Sequence, residues 1–180
     1  MKGGLDMEEN IVDNILESFV KLGKADTPIS FYYPISSLLG LLDCDKDHLN
    51  VAIDEFKKEM VNSLGDITIK ELASEKDRYE VRIPLKGVRW VRENYKPTPF
   101  TEEFIKIIQK PNQSIEEVLK VFNAFSQDII VDELKSGTLA VSFKDKMIDK
   151  YVYLIEQNEF GLQYHRFTQK EYLNLIGEAI

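Results

Sequence analysis

The chain has 180 residues, of which 43% are apolar and 30% charged, and its net charge is −8. That length holds one mid-sized domain or two small ones, and ten Phe, eight Tyr and one Trp supply enough apolar bulk to exclude wholesale disorder. No apolar run approaches the roughly 20 residues of a membrane helix, the opening Met-Lys-Gly-Gly-Leu-Asp lacks the apolar stretch of a secretory signal, and the single Cys44 forbids an internal disulfide, so a cytoplasmic protein without a membrane partner is expected.

Residues 1–6 read as a disordered lead, because the helical periodicity begins at Met7 and continues through Ile11, Val12, Ile15, Leu16, Phe19 and Val20. Gly23 is a natural stop for that helix. The aromatic piece Ile29-Ser-Phe-Tyr-Tyr-Pro34 is extended, and Pro34 suits the start of a short, largely apolar helix over 35–42. Asp43-Cys-Asp45 makes a turn, with Asp45 as N-cap of a third helix from about Lys46 to Leu64. That helix buries Leu49, Ile53, Phe56 and Met60. Alternation predicts a hairpin over 67–72 and 78–83, joined by the polar loop Ser74-Glu-Lys-Asp77. Leu85, Val88, Val91 and Tyr95 then share one face of a closing helix. This order of elements is that of a winged helix, with Ile29–Tyr33 as its short first strand.

Pro97-Thr-Pro99 marks the boundary between a domain at 1–96 and a second at 97–180. Phe100, Phe104, Ile105 and Ile108 predict one helix, stopped by Lys110-Pro-Asn112. Ser114-Ile-Glu-Glu117 has the form of a capping box and opens another. Segments 128–134, 138–143, 150–156 and 160–167 are rich in Ile, Val, Tyr and Phe and predict an antiparallel meander, with connections at Lys135-Ser-Gly137 and Gln157-Asn-Glu159. Thr168-Gln-Lys-Glu171 is a second capping-box pattern, before a short last helix. The fold class expected is therefore α+β, a winged-helix-like domain followed by two helices, a meander and a terminal helix.

Charge bears on the partner. Residues 1–96 carry 14 Lys and Arg against 18 Asp and Glu, and residues 97–180 carry 9 against 13, so each half has a charge of −4. Duplex binding is driven by phosphate neutralisation, which this balance disfavours. Only the window 76–96 is basic, with four of the five arginines: Arg78, Arg82, Arg89 and Arg92. In a winged helix, residues 46–62 take the recognition position and 73–78 the wing tip. Lys57, Lys58, Lys76 and Arg78 are the candidate nucleic-acid contacts, opposed by Asp47 and Asp54 on the same outward helix face. Arg89 and Arg92 lie three residues apart on one helical face, facing the acidic first helix (Glu8, Glu9, Asp13, Glu17) or the second domain. With Tyr32 and Tyr33 they are candidate interface residues, since Phe31, Tyr32 and Tyr33 cannot all enter one core from an extended segment.

Catalytic signatures are missing. The chain has no Gly-rich phosphate loop, no Cys-x-x-Cys, no His-Glu-x-x-His and no Gly-x-Ser-x-Gly. No catalytic residue, metal ligand set or cofactor is expected. Cys44 with His48, and His165 with Arg166, are the pairs an enzyme would use. The simpler account makes Cys44 a small hydrophobe and leaves His165 and Arg166 bonding to carbonyls or Glu171 at a sheet edge. Glu102-Glu103 and Glu116-Glu117 fall in first helical turns, where negative charge complements the macrodipole.

Three stretches, Phe31-Tyr-Tyr-Pro-Ile-Ser-Ser-Leu38, Arg82-Ile-Pro-Leu-Lys-Gly-Val-Arg-Trp-Val-Arg-Glu-Asn94 and Tyr164-His-Arg-Phe-Thr-Gln-Lys-Glu-Tyr172, resemble a family of short proteins of unknown function from anaerobic, largely gut-dwelling Gram-positive bacteria. The resemblance spans most of the chain and implies a cytoplasmic bacterial origin, but no activity, cofactor or site. Patterns of that family often have His in the closing helix where this chain has Arg92. The functional expectation is a non-enzymatic interaction protein that docks a partner protein or itself. The alternative is a DNA-binding regulator with a C-terminal sensing or dimerisation domain.

Overall fold

A computed structural model describes residues 2–23 and 26–178. It divides into two units, Met1–Pro97 and Thr98–Ile180. Among the described residues there are seven α-helices and two antiparallel sheets, an α+β architecture.

The first unit runs α1 (Lys2–Leu22), β1 (Ile29–Pro34), α2 (Ile35–Leu42), a 3-10 turn (Lys46–His48), α3 (Leu49–Met60), β2 (Thr68–Glu71), β3 (Arg78–Ile83) and α4 (Leu85–Asn94). Met7, Ile11, Val12, Ile15 and Leu16 of α1 are all buried, as their spacing requires. The helix nevertheless begins at Lys2, so the expected disordered lead is corrected over residues 2–6, Met1 lying outside the described residues. Backbone hydrogen bonding carries the helix upstream of its first core residue, through Gly3 and Gly4. The third helix is also less regular than its periodicity suggests. Asp45 accepts from the His48 N–H at 3.0 Å and opens the 3-10 turn, α3 follows, and the chain reaches buried Leu64 through a turn closed on the Met60 carbonyl. Gly65 leaves that turn with φ of +78°, a conformation that costs a residue with a Cβ.

The three strands lie in the order β1-β3-β2. Phe31 is opposite Val81, which is in turn opposite Ile69, and this row faces the helices. Tyr32, one residue on, points to the other face and is 50% exposed. Inside, the Tyr33 hydroxyl donates to Asn10 Oδ1 at 2.7 Å and accepts from Asn14 Nδ2 at 2.7 Å. This pairing satisfies the polar groups that α1 and β1 bring into the core. In α4, Gly87, Val88 and Val91 are buried. Tyr95 lies past the helix end, 41% exposed and edge-on to Trp90 at 5.5 Å, so it is not the core residue its spacing suggested.

The second unit runs α5 (Pro99–Gln109), α6 (Ile115–Phe125), β4 (Ile129–Glu133), a 3-10 turn (Lys135–Gly137), β5 (Leu139–Phe143), β6 (Val152–Asn158), β7 (Gly161–Phe167) and α7 (Gln169–Glu178). The strands form a meander in sequence order. Thr98 caps α5 by accepting from the Thr101 N–H, and Pro99 occupies the first turn, where its missing N–H costs nothing. Alternation gives the sheet two apolar faces. Val141, Phe143, Tyr153 and Ile155 share one, where Phe143 and Tyr153 meet Phe100, Phe104 and Phe122 of α5 and α6. Ala140 and Val152 belong to the other, with Tyr172 and Ile176 of α7. The Thr168 box is reciprocal: Thr168 N–H donates to Glu171 Oε1 and Glu171 N–H to Thr168 Oγ1, both at 3.1 Å. The β6–β7 turn falls at Glu159-Phe160, overlapping the expected connection at Glu159 but starting two residues later, because Asn158 pairs with Gly161.

Candidate functional site

In the first unit, the outward residues of α3 are Asn50, Val51, Asp54, Glu55, Lys58 and Glu59. Lys57 is only half-exposed. Asp54 was legible as an outward acid, whereas Glu55, Glu59 and the 57%-exposed Val51 were not singled out by spacing. The acids of α3 reach the field of α1. Burial pushes the Glu8 carboxyl above its ordinary range, and repulsion from Glu9 and Glu59 adds to that. The outward face of α3 therefore presents an apolar residue among acids, with Lys58 as the exposed basic residue within that helix.

Lys76 is exposed at the β2–β3 loop. Arg78, at the start of β3, lies 3.7 Å from Glu75 Oε2 and has its guanidinium 5.9 Å from the Tyr32 ring centroid. Asp77 takes a positive φ of +64°, and its N–H donates to Glu71 Oε2 at 2.9 Å. The loop thus holds three acids, Glu71, Glu75 and Asp77, beside two bases, Lys76 and Arg78, and its net charge is −1. Lys57 and Lys58 belong to α3, whereas Lys76 and Arg78 belong to the loop end of the hairpin.

The four interface candidates separate. Tyr32 is exposed and its hydroxyl donates to Glu80 Oε2 at 3.3 Å, whereas Tyr33 is a core residue. Arg89 and Arg92 converge on Asp26, in the segment before β1. Arg89 grips it with two bonds, Nε–Oδ1 at 3.0 Å and Nη2–Oδ2 at 2.7 Å, and Arg92 Nη1 adds a third at 3.3 Å. The Arg92 guanidinium also lies over Phe19, 5.7 Å from its centroid. These contacts tie α4 to α1 and to the entry of β1.

That clamp holds the Asp26 carboxyl down to about 2, mainly through its hydrogen bonds with Arg89 and secondarily with Arg92. Because the folded value lies below the unfolded one, the contribution to stability is present above the usual Asp value of about 4 and disappears as pH falls toward 2. Asp26→Asn is expected to be less stable than the parent at neutral pH, with the gap closing as pH falls through that window. Urea unfolding at stepped pH checks this, and a gap that stays constant to low pH would refute it.

No enzyme-like constellation forms from the candidate pairs. Burial, with repulsion from Asp45 and Asp43, pushes the Cys44 thiol up and away from a reactive thiolate. His48 Nδ1 is engaged by Asp45 Oδ1 at 2.6 Å. His165 and Arg166 are neighbours on β7 and so point to opposite faces of the sheet. Arg166 stacks over Tyr151 at 4.2 Å, and His165 lies on the face of Phe167. Glu171, considered as their partner, caps α7. Among the described residues, no group of three or more His, Cys, Asp or Glu is placed to hold a metal ion, and no helix is long and apolar enough to cross a membrane.

No curated protein and no solved structure matches the chain. A family model does, over residues 5–176, and it is described as a domain of unknown function from E. rectale. With nearly its whole length covered, the chain belongs to the DUF3877 family.

Proposed function

We propose that the first unit is a winged-helix scaffold used for docking a protein partner, a second copy included, and not for reading DNA. Three helices, a strand between the first two and an antiparallel hairpin support the scaffold, as does the pairing of that strand with the last strand of the hairpin. The observation that carries the choice of partner is the acidic outward face of α3, with Asp54, Glu55 and Glu59 around Val51 and Lys58. A duplex reader needs cations and amides on that face. A protein interface tolerates acids around an apolar centre. The single cysteine fits a reducing, cytoplasmic location for such a protein.

Titration of a labelled mixed-sequence duplex at low and moderate salt tests the choice. Even a specific DNA binder keeps non-specific affinity at low salt, so a flat anisotropy trace is expected here. A salt-sensitive rise, lost when Lys57, Lys58, Lys76 and Arg78 are replaced by Ala, would establish the DNA-binding alternative instead.

A further inference from the structure

Four strands form the edges of the two sheets: β1 and β2 in one, β4 and β7 in the other. An exposed row of backbone groups invites pairing, and native edges are usually blunted by charge, shortness or proline. β2 is four residues long and carries Lys70 and Glu71. β4 carries Asp132 and Glu133, and β7 carries His165 and Arg166. β1, Ile-Ser-Phe-Tyr-Tyr-Pro over six residues, has no charge at all, and its proline comes only at the last position. Of these four edge strands it is the one without a charged side chain.

The face beside that edge is basic. By strand register, Ser30 pairs with Arg82, Tyr32 with Glu80 and Pro34 with Arg78, and Lys70 lies beyond Glu80 on β2. By alternation all of them lie on the face away from the helical core, where Tyr32 and Pro34 are exposed and the Ser30 hydroxyl is buried. Lys70 and Arg82 are exposed and have no ion-pair partner among the described residues. Glu80, the only acid in the row, accepts the Tyr32 hydroxyl. Arg78, itself 3.7 Å from Glu75 Oε2, thus lies over the half-exposed Tyr32 ring, while Arg82 and Lys70 stand on either side of Glu80 on the same face.

We infer that β1 accepts an extended, acidic segment of a partner protein as an added strand. Main-chain hydrogen bonds along β1 would supply affinity. Every second side chain of the segment would lie beside Ser30, Tyr32 and Pro34, where carboxylates come within reach of Arg82 and Arg78. Charge complementarity selects an acidic segment over a basic one. The strand edge selects a peptide over a single-stranded nucleic acid, which offers no matching row of amides and would find one stacking ring with Glu80 beside it. The surface lies on β1 and β3, so the inference stands or falls separately from any docking on α3.

The probe is a short fluorescein-labelled peptide alternating Glu with Val, titrated against the full chain. Its controls are the Lys–Val counterpart, the Glu–Val peptide N-methylated at alternate residues, and an oligo-dT of similar length. Saturable binding of the Glu–Val peptide is expected, weakened about tenfold or more by R78E/R82E and by N-methylation. The N-methylated probe leaves the protein untouched, so it decides the matter even if the double variant fails to fold. No saturable binding, equal affinity for the Lys–Val peptide, indifference to N-methylation, or preference for oligo-dT would each overturn the proposal. So would a concentration-dependent mass of the protein alone that Y32A abolishes, since β1 would then be occupied by a second copy.

Discussion

Gly87→Ala is expected to destabilise the first unit by about 1–3 kcal/mol or more, although the same change in an open helix would stabilise it by about 1 kcal/mol. Gly87 lies in the first turn of α4, where that helix crosses the end of the α3 segment. A Cβ built there would be 2.3 Å from the Leu64 carbonyl oxygen, 2.9 Å from the Leu64 carbonyl carbon and 2.7 Å from Ile83 Cγ2. Two of those atoms are backbone and cannot swing aside. Relief requires α4 to shift, which would also disturb Val88 and Val91, both essentially fully buried. Gly40→Ala is the matched control, because a Cβ at that helical glycine meets nothing within 4 Å. Urea unfolding of both variants checks the expectation. Similar, near-zero or stabilising effects for the two would refute the close approach.

Phe100→Ala is expected to cost the second unit about 3–5 kcal/mol, the range for removing a fully buried aromatic ring. Phe100 is 1% exposed and is the hub of that core. Its ring lies 4.8 Å from both Phe122 and Phe143, 5.6 Å from Phe104 and Phe125, and 5.7 Å from Tyr153. Removing it takes away the ring that meets five others across both helices and the sheet, and rigid rings cannot collapse into the space. Phe160→Ala, at an 87%-exposed position in the β6–β7 turn, is expected to change stability by no more than about 0.5 kcal/mol. A Phe100 variant as mild as the Phe160 one would mean that this core is not packed as described.

What could be read from the sequence was whatever depends on local periodicity. The apolar positions of α3, Leu49, Ile53, Phe56 and Met60, are all buried, and the meander strands fall within a residue or two of their expected bounds. Capping at Thr168 was legible because its two hydrogen bonds link residues three apart. Long-range choices were not. Asp26 is the anchor for Arg89, 63 positions away, and nothing in the spacing of the arginines distinguishes it from the acids of α1. The role of Gly87 depends on Leu64, which belongs to another element. Tyr32 and Tyr33 looked alike as interface residues until strand register sent one outward and the other to Asn10 and Asn14. The charge of the α3 face was half legible: Asp54 could be placed outward, but Glu55 and Glu59 stand out only once the helix has been rotated onto its core.

In the proposed function, the charge of the α3 face, on a scaffold able to present it, keeps this chain from nucleic acid. This is tested most directly by titrating the same low-salt duplex with the parent and with D54K/E55K/E59K. No binding by the parent and a gain of salt-sensitive binding by the variant are expected, because reversing the charge lets α3 neutralise phosphates. Binding by the parent would contradict the claim about charge. A folded variant that stays inert would contradict the claim that the scaffold presents α3 as a winged helix does.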